Sequence, residues 1–182
     1  MELQGKTIYF RLAEVSDAKF IQLLRVDPKY NKHLSQVDDD YGKQVEWLEK
    51  YKEREKKGME FYYIIHRISD SIPIGTVRMY DFIDGRNSFC WGSWILNENK
   101  TRYAALECAL MIYDLAFFEM GFKRCHMDIR KQNIKVIEFH KKLGVKIIGE
   151  TKDDYLGHYF PEDYKLTRNA IRNIVGLECE KS

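Results

Sequence analysis

The stretch "FCWGSWILNENKTRYAALECALMIYDLAFFEMGFKRCHMDIR", Phe89–Arg130, decides the fold. It opens on an aromatic, β-favouring run, Phe89–Leu96, and closes on Lys123–Arg130, where Cys125, Met127 and Ile129 alternate with Arg124, His126, Asp128 and Arg130. A period of two marks a strand with one buried face. Between these runs Leu106, Leu110, Tyr113, Phe117 and Met120 recur at helical spacing, so a helix is predicted from about Thr101 to Met120, ended by Gly121. Strand, helix and strand in direct succession imply a parallel pair joined by a crossover.

Upstream, "FYYIIHR" and "IPIGTVRMYDF" read as strands around Ser69-Asp70-Ser71, and Asp84-Gly85 turns the second of them into "SFCWGSWIL". These three make an antiparallel meander, so the sheet is mixed and mostly antiparallel. "TIYFRLAE" is a first strand. Ser16 or Asp17 then caps a helix with Phe20, Leu23 and Leu24 as its buried stripe, and "YGKQVEWLEKYKERE" forms a second helix with Tyr41, Val45, Leu48 and Tyr51 on one face. Downstream, "NIKVIEFHKKLG" is a helix from Asn133 to Gly144, "VKIIGE" a strand, and "GHYFPEDYKLTRNAI" a loop with a last strand or turn. The order is β, α, α, βββ, α, β, α, β, β. The fold class is α/β (α+β), one domain over residues 1–182, with helices flanking the sheet.

A chain of 182 residues with a 45% hydrophobic fraction can bury a substantial core. Its net charge of +2 comes from interspersed acids and bases, which argues against a nucleic-acid-binding surface. The basic run "EKYKEREKKG" reads as a solvated helix face. Cys90, Cys108, Cys125 and Cys179 have neither metal-ligand nor redox spacing, so no metal site is expected and the cysteines read as reduced. There is no signal core and no run near the roughly 20 apolar residues of a membrane span. A soluble, cytoplasmic protein is expected. Exposed aromatics in "DYLGHYF" are compatible with a homodimer.

Three places can carry chemistry. The loop Asn97–Arg102 leads into a helix N-terminus, where unpaired N–H groups and the positive end of the dipole favour an anion. Lys100 and Arg102 add charge there, and Ala104 and Ala105 allow close approach; the alternative is an ordinary strand–helix corner. His140 lies on or beside the buried stripe of its helix, as either a core histidine or a proton-transfer group. Gly92 inside an aromatic strand marks a bulge or a close backbone approach, with Trp91 and Trp94 facing opposite sides. On the preceding strand Asp81 lies between Tyr80 and Phe82, as a substrate contact or a polar rim.

From about Ile8 to Ile171 the chain resembles the GNAT superfamily of acetyl-CoA-dependent N-acetyltransferases. The likeness is to the branch of ribosomal-protein alanine and spermidine acetyltransferases, and to GNAT proteins that acetylate amino sugars in surface-polysaccharide pathways. It is carried by "FCWGSWIL", by "ALECALMIYDLAFFEMGFKR" and most specifically by "RKQNIKVIEFHKKLGVKIIGE", where Asn133 opens a helix ten residues before Leu143-Gly144. The family's phosphate loop usually has Gln or Arg, two residues, Gly, one residue, then Gly or Ala. Here Lys100-Thr101-Arg102-Tyr103-Ala104-Ala105 stands in its place, with Tyr103 for the glycine. His140 occupies a position where many relatives have Tyr as the acid for the leaving thiolate.

The resemblance implies splayed central parallel strands and direct acetyl transfer from acetyl-CoA to a primary amine. Trp94, Ile95, Leu96, the 100–105 loop and Asn133 would bind the co-substrate, and a backbone N–H near Trp94–Leu96 would polarise the thioester carbonyl. His140 would be the acid, Asp81 the base with Asp128 behind it, and Tyr80, Phe82 and Trp91 the acceptor contacts. The expected acceptor is a nucleotide-linked amino sugar, for which Arg78, Arg86 and Arg130 are available. Alternatives are a protein N-terminus, as on ribosomal proteins, a polyamine drawn to Asp38–Asp40, or a non-catalytic acyl-CoA-binding domain.

Overall fold

A computed structural model describes residues 3–177. The strands are β1 (Leu3–Gln4), β2 (Ile8–Leu12), β3 (Phe61–Arg67), β4 (Pro73–Ile83), β5 (Ser88–Leu96), β6 (Cys125–Arg130), β7 (Lys146–Glu150) and β8 (Asp154–Tyr159). The helices are α1 (Ala18–Val26), α2 (Pro28–Asn31), α3 (Tyr41–Lys56), α4 (Ala104–Tyr113), α5 (Ile134–Leu143) and α6 (Pro161–Val175). The fold is mixed α/β, with helices flanking a mostly antiparallel sheet whose hydrogen-bonded order is β1-β2-β3-β4-β5-β6-β8-β7. The chain forms two compact units. One comprises the residues up to Tyr80 with Trp91–Ala104; the other comprises Asp81–Cys90 with the residues from Ala105 on.

In the first unit β2 pairs antiparallel with β1 and β3, and β3 with β4. The core joins Ala18 and Ile21 of α1, Leu48 and Tyr51 of α3, and Tyr62 and Ile64 of β3. Tyr51 locks α3 to the strand: its hydroxyl accepts the Tyr62 N–H at 2.8 Å. Of the expected α1 stripe, Leu24 is buried and Phe20 packs against this core, but Leu23 does not belong to it. Ile21 is buried, whereas Leu23 is 55% exposed, because the helix begins at Ala18 and its inward face runs through 18, 21 and 24. Tyr41, on the first turn of α3, is likewise exposed. Asp17 precedes α1 without a side-chain cap. Its carboxylate instead takes both Arg11 guanidinium nitrogens at 2.7 Å and the Glu14 N–H at 2.8 Å, fixing the β2–α1 corner.

Gly75 lets β4 approach β5 within this unit. A Cβ at that position would lie 2.0 Å from the Ile95 carbonyl oxygen.

In the second unit β6 runs parallel to β5, with Phe89 opposite Cys125 and the Phe89 N–H donating to the Arg124 carbonyl at 3.2 Å. The crossover expected from the sequence is therefore present. Asp84 and Gly85 both have positive φ, 43° and 73°, as a tight hairpin turn requires. Helix α4 starts at Ala104 rather than Thr101 and passes into a π-helical segment, Asp114–Glu119. Gly121 follows at φ 75°. The core is aromatic: Phe89, Tyr113, Phe117, Phe122, Tyr159 and Tyr164 pack with ring centroids about 5–6 Å apart.

The last segment is a correction. "PEDYKLTRNAI" lies in α6, not in a strand or turn. Pro161 opens it, Glu162 and Asp163 suit its positive end, Gly176 closes it in the left-handed region, and Tyr164, Ile171 and Val175 form its buried face. Cys90, Cys108 and Cys125 are free and buried; Cys179 lies outside the described residues. No helix among the described residues is long and apolar enough to cross a membrane.

Candidate functional site

The first unit contains a pocket of about 180 Å³. Its wall combines Arg25 of α1, Gln44 and Trp47 of α3, Tyr62 of β3, Arg78 of β4 and Ser93 of β5. Glu60, almost fully buried, is the counter-ion for two arginines: Arg78, whose Nε donates to it at 2.6 Å, and Arg54. Arg25 donates only to neutral oxygens, the Ser35 carbonyl at 3.0 Å and hydroxyl at 2.9 Å and the Ser93 hydroxyl at 3.3 Å. Arg54 and Arg78 thus share one carboxylate while Arg25 faces only neutral oxygens, so the wall that Arg25 and Arg78 line carries excess positive charge.

Trp47 gives this wall a flat surface. The Arg54 and Arg78 guanidinium carbons lie 5.5 and 5.2 Å from its ring centre. Burial raises the Tyr62 pKa, partly opposed by Thr76, Arg25 and Arg78. The Tyr62 hydroxyl and Arg25 Nε make no hydrogen bond of normal geometry to protein atoms.

Ser93 shapes one side. Its φ of 45° breaks the pleat of β5, and its carbonyl accepts the Thr76 hydroxyl at 2.9 Å. The preceding Gly92 leaves room for the Tyr80 hydroxyl, which would lie 3.0 Å from a Cβ there. The irregularity read from Gly92 is therefore real. It also overturns the opposite placement of Trp91 and Trp94: with the alternation interrupted at Ser93, their ring centroids are 5.1 Å apart. Of the other aromatics expected to meet an acceptor, Tyr80 lies beneath Arg78, whose guanidinium carbon is 4.8 Å from its ring centre. Phe82 belongs to the second unit, packed on Phe122 and overlaid by Arg86. The pocket's aromatic surface comes from Trp47 and Tyr62.

The loop after β5 is tied down before α4 begins. Asn97 N–H donates to the Ile74 carbonyl at 2.8 Å, the Asn97 side chain accepts the Asn99 N–H at 2.9 Å, and Arg67 donates to the Asn99 carbonyl at 3.0 Å. Glu98 accepts from the Tyr30 hydroxyl, and the Thr101 and Thr7 hydroxyls are 2.6 Å apart. Lys100 and Arg102 are exposed on this fixed loop, Arg102 lying over the Tyr103 ring; Ala104 is buried and Ala105 half-buried.

In the second unit Asn133 holds the N-cap position of α5. Its carbonyl accepts from Val136 and Ile137, but its side chain makes no cap hydrogen bond. His140 is buried between the turns that carry Ile137 and Leu143, and burial lowers its pKa from 6.5 to about 4. It is neutral near pH 7. Asp81, with φ 54°, accepts from His126 Nε2 at 2.9 Å, and His126 Nδ1 is 2.6 Å from the Ser88 hydroxyl. No group of three or more metal-ligating side chains occurs among the described residues.

Sequence reasoning missed Arg25, Trp47, Tyr62, Ser88 and His126. Arg25 and Trp47 look like ordinary residues of amphipathic helices, and only the packing of α1, α3 and β3 gathers them. His126 was visible on the polar face of its strand, but its partners lie 38 and 45 residues away.

A family model described as "Acetyltransferase (GNAT) domain" matches residues 7–146. A Bacillus subtilis (strain 168) protein described as "Probable N-acetyltransferase YjcK" is 29% identical over 167 residues, covering 83% of this chain and 92% of its own length. A solved structure described as apo FdhC, a nucleotide-linked sugar GNAT, superposes with a TM-score of 0.87 at 43% identity, covering 98% of this chain and 99% of that one. The spermidine N-acetyltransferase from Vibrio cholerae, solved with CoA and spermine, has a TM-score of 0.73 at 15% identity, over 88% and 99% of the two chains. That last likeness is one of fold alone.

Proposed function

The chain belongs to the GNAT family of acetyltransferases and is an acyltransferase; from that premise we propose that, as one catalytic domain, it transfers the acetyl group of acetyl-CoA directly to the amine of a nucleotide-linked amino sugar. The carrying observation is the pocket of the first unit. Its surplus of guanidinium charge suits phosphate, and Trp47, half-buried in the wall, is an aromatic contact for a base or sugar. A polyamine would be repelled by that charge. The 43% identical relative described as a nucleotide-linked sugar GNAT supports the same acceptor class.

The co-substrate fits the chain's own groups. Its pyrophosphate would be held by the first turn of α4 with Lys100 and Arg102, where N–H groups and side-chain charge attract an anion. Tyr103 replaces the usual glycine, so contact there involves a side chain as well as backbone. Asn133 and the backbone of Trp94–Leu96 would bind the rest, one N–H of that strand polarising the thioester carbonyl.

Asp81 would accept the ammonium proton. His140, neutral above about pH 4, would serve the departing sulfur as an N–H hydrogen-bond donor rather than as an imidazolium acid. Holding both reactants in one orientation supplies much of the rate.

The test is acetyl-CoA-dependent thiol release with three acceptor classes: nucleotide-linked amino sugars, peptides with a free N-terminus, and polyamines. Turnover confined to the first is expected. Turnover of the peptides would make the chain a protein N-acetyltransferase, and binding of acetyl-CoA without turnover would make it a non-catalytic acyl-CoA-binding domain.

A further inference from the structure

Strands β4, β5 and β6 bring Asp81, Ser88 and His126 into one hydrogen-bonded chain. His126 Nε2 is 2.9 Å from Asp81 Oδ2, and Nδ1 is 2.6 Å from Ser88 Oγ. The direction follows from chemistry. An ionised carboxylate only accepts, so Nε2 carries the hydrogen; Nδ1 of the neutral ring then accepts, and the Ser88 hydroxyl donates to it.

Exposure grades along the same chain. Ser88 is fully buried, the His126 side chain is 21% exposed, and the Asp81 side chain is 63% exposed. A hydrolytic Ser–His–Asp arrangement runs the other way, with the carboxylate buried and the hydroxyl open to substrate. Ser88 is therefore no nucleophile, and the group offered to a ligand is the carboxylate. Asp81 also holds a left-handed backbone conformation, φ 54°, inside a strand. Conformations of that kind cost about 1–3 kcal/mol and cluster where a side chain must be aimed.

We propose that His126, backed by Ser88, is the positioning residue for Asp81 acting as the general base of acetyl transfer. The proposal rests on the acetyl-transfer reading above. Asp81 Oδ2 is held by His126, so Oδ1 takes one proton from the acceptor ammonium. The freed nitrogen lone pair forms the C–N bond, the C–S bond breaks, and its electron pair leaves on sulfur. The nitrogen loses a second proton and the sulfur gains one. The products are the amide, the CoA thiol and one proton, which passes from Asp81 to solvent.

His126 fixes which oxygen is free and keeps the carboxylate in its rotamer. Other charged groups share this face. His158 pairs across from His126 on β8, Asp128 follows it on β6, and Arg124 immediately precedes that strand. Burial, then the charge of Arg124, hold His158 below the ordinary imidazole value.

The test compares His126→Leu, His126→Gln and Asp81→Asn by thiol release over a range of pH. His126→Leu should lower kcat on the order of 10-fold and Asp81→Asn on the order of 100-fold, with the KM for acetyl-CoA unchanged. His126→Gln restores an N–H near the Nε2 position and should recover most of the loss. Both deficits should shrink as pH rises toward the acceptor's own pKa, where the amine arrives neutral. An unchanged kcat in His126→Leu, a deficit equal at every pH, or a Gln variant no better than Leu would each overturn the role of His126.

Imidazole ¹⁵N spectra of the wild type give a reading independent of turnover. Hydrogen on Nε2 of the neutral ring is expected; hydrogen on Nδ1 breaks the proposed chain. A wild type that releases no thiol with any amine overturns the acetyl-transfer reading and the relay's catalytic role with it, whereas an active wild type with an equally active His126→Leu removes His126 alone.

Discussion

His140 makes folding pH-dependent, and replacing it should remove that dependence. The ring is 7% exposed, on the face of α5 that also buries Ile137 and Leu143. Desolvation disfavours its charged form and lowers its pKa from 6.5 to about 4. Between those values the unfolded chain binds a proton that the folded chain refuses, so stability is full above pH 6.5 and is lost as pH falls through this window. The complete loss corresponds to roughly 3 kcal/mol, of which about 2 kcal/mol falls between about pH 7.5 and 5.

Carboxylates titrate over part of the same range, so the informative quantity is the difference between the wild type and His140→Leu. Urea unfolding followed by circular dichroism at about pH 7.5 and 5 measures it. The wild type should lose about 2 kcal/mol more than the variant on acidification. Equal losses would show that His140 accepts a proton in the folded state as readily as in the unfolded one. The imidazolium acid that the neutral ring excludes would then be available to the reaction.

Arg25→Ala should raise the acceptor KM about 10-fold or more, the value of a charge-assisted hydrogen bond, and added salt should weaken wild-type acceptor binding more than that of the variant; a KM indifferent to both would remove the pocket from acceptor binding. Replacing Lys100 and Arg102 together by Ala should weaken acetyl-CoA in a calorimetric titration and flatten its salt dependence, whereas unchanged affinity would refute the anion site at α4. Gly75→Ala should cost at least about 2 kcal/mol in urea unfolding, because the new Cβ meets a backbone oxygen at 2.0 Å rather than a movable side chain. A wild-type midpoint would mean that β4 and β5 separate there at little cost.

Local periodicity made most of the fold legible. The run Phe89–Arg130 carried the crossover, and the parallel register of Phe89 with Cys125 agrees with it. Gly92 carried the irregularity of β5, although it did not reveal that Ser93 would adopt the positive φ and bring two tryptophans together. Helix α6 was legible and went unread: Pro161, two acids, a buried series at 164, 171 and 175, and Gly176 are helix signals obscured by an aromatic, strand-like run just before them.

The pocket of the first unit was not legible, because its arginines and aromatics come from α1, α3, β3 and β4 and share no local pattern. The buried state of His140 could be argued from its neighbours at 137 and 143. Its loss of charge could not, since that depends on how far the whole surrounding fold buries the residue.

On the proposed reading, surplus guanidinium charge selects an anionic amino sugar. The most direct measurement is kcat/KM for one amino sugar presented free and nucleotide-linked, with acetyl-CoA saturating. The nucleotide-linked form should be preferred by about 100-fold or more, the equivalent of two charge-assisted contacts, and Arg25→Ala should remove much of that preference. Equal values for the two forms, or a faster reaction with the free sugar, would contradict the account.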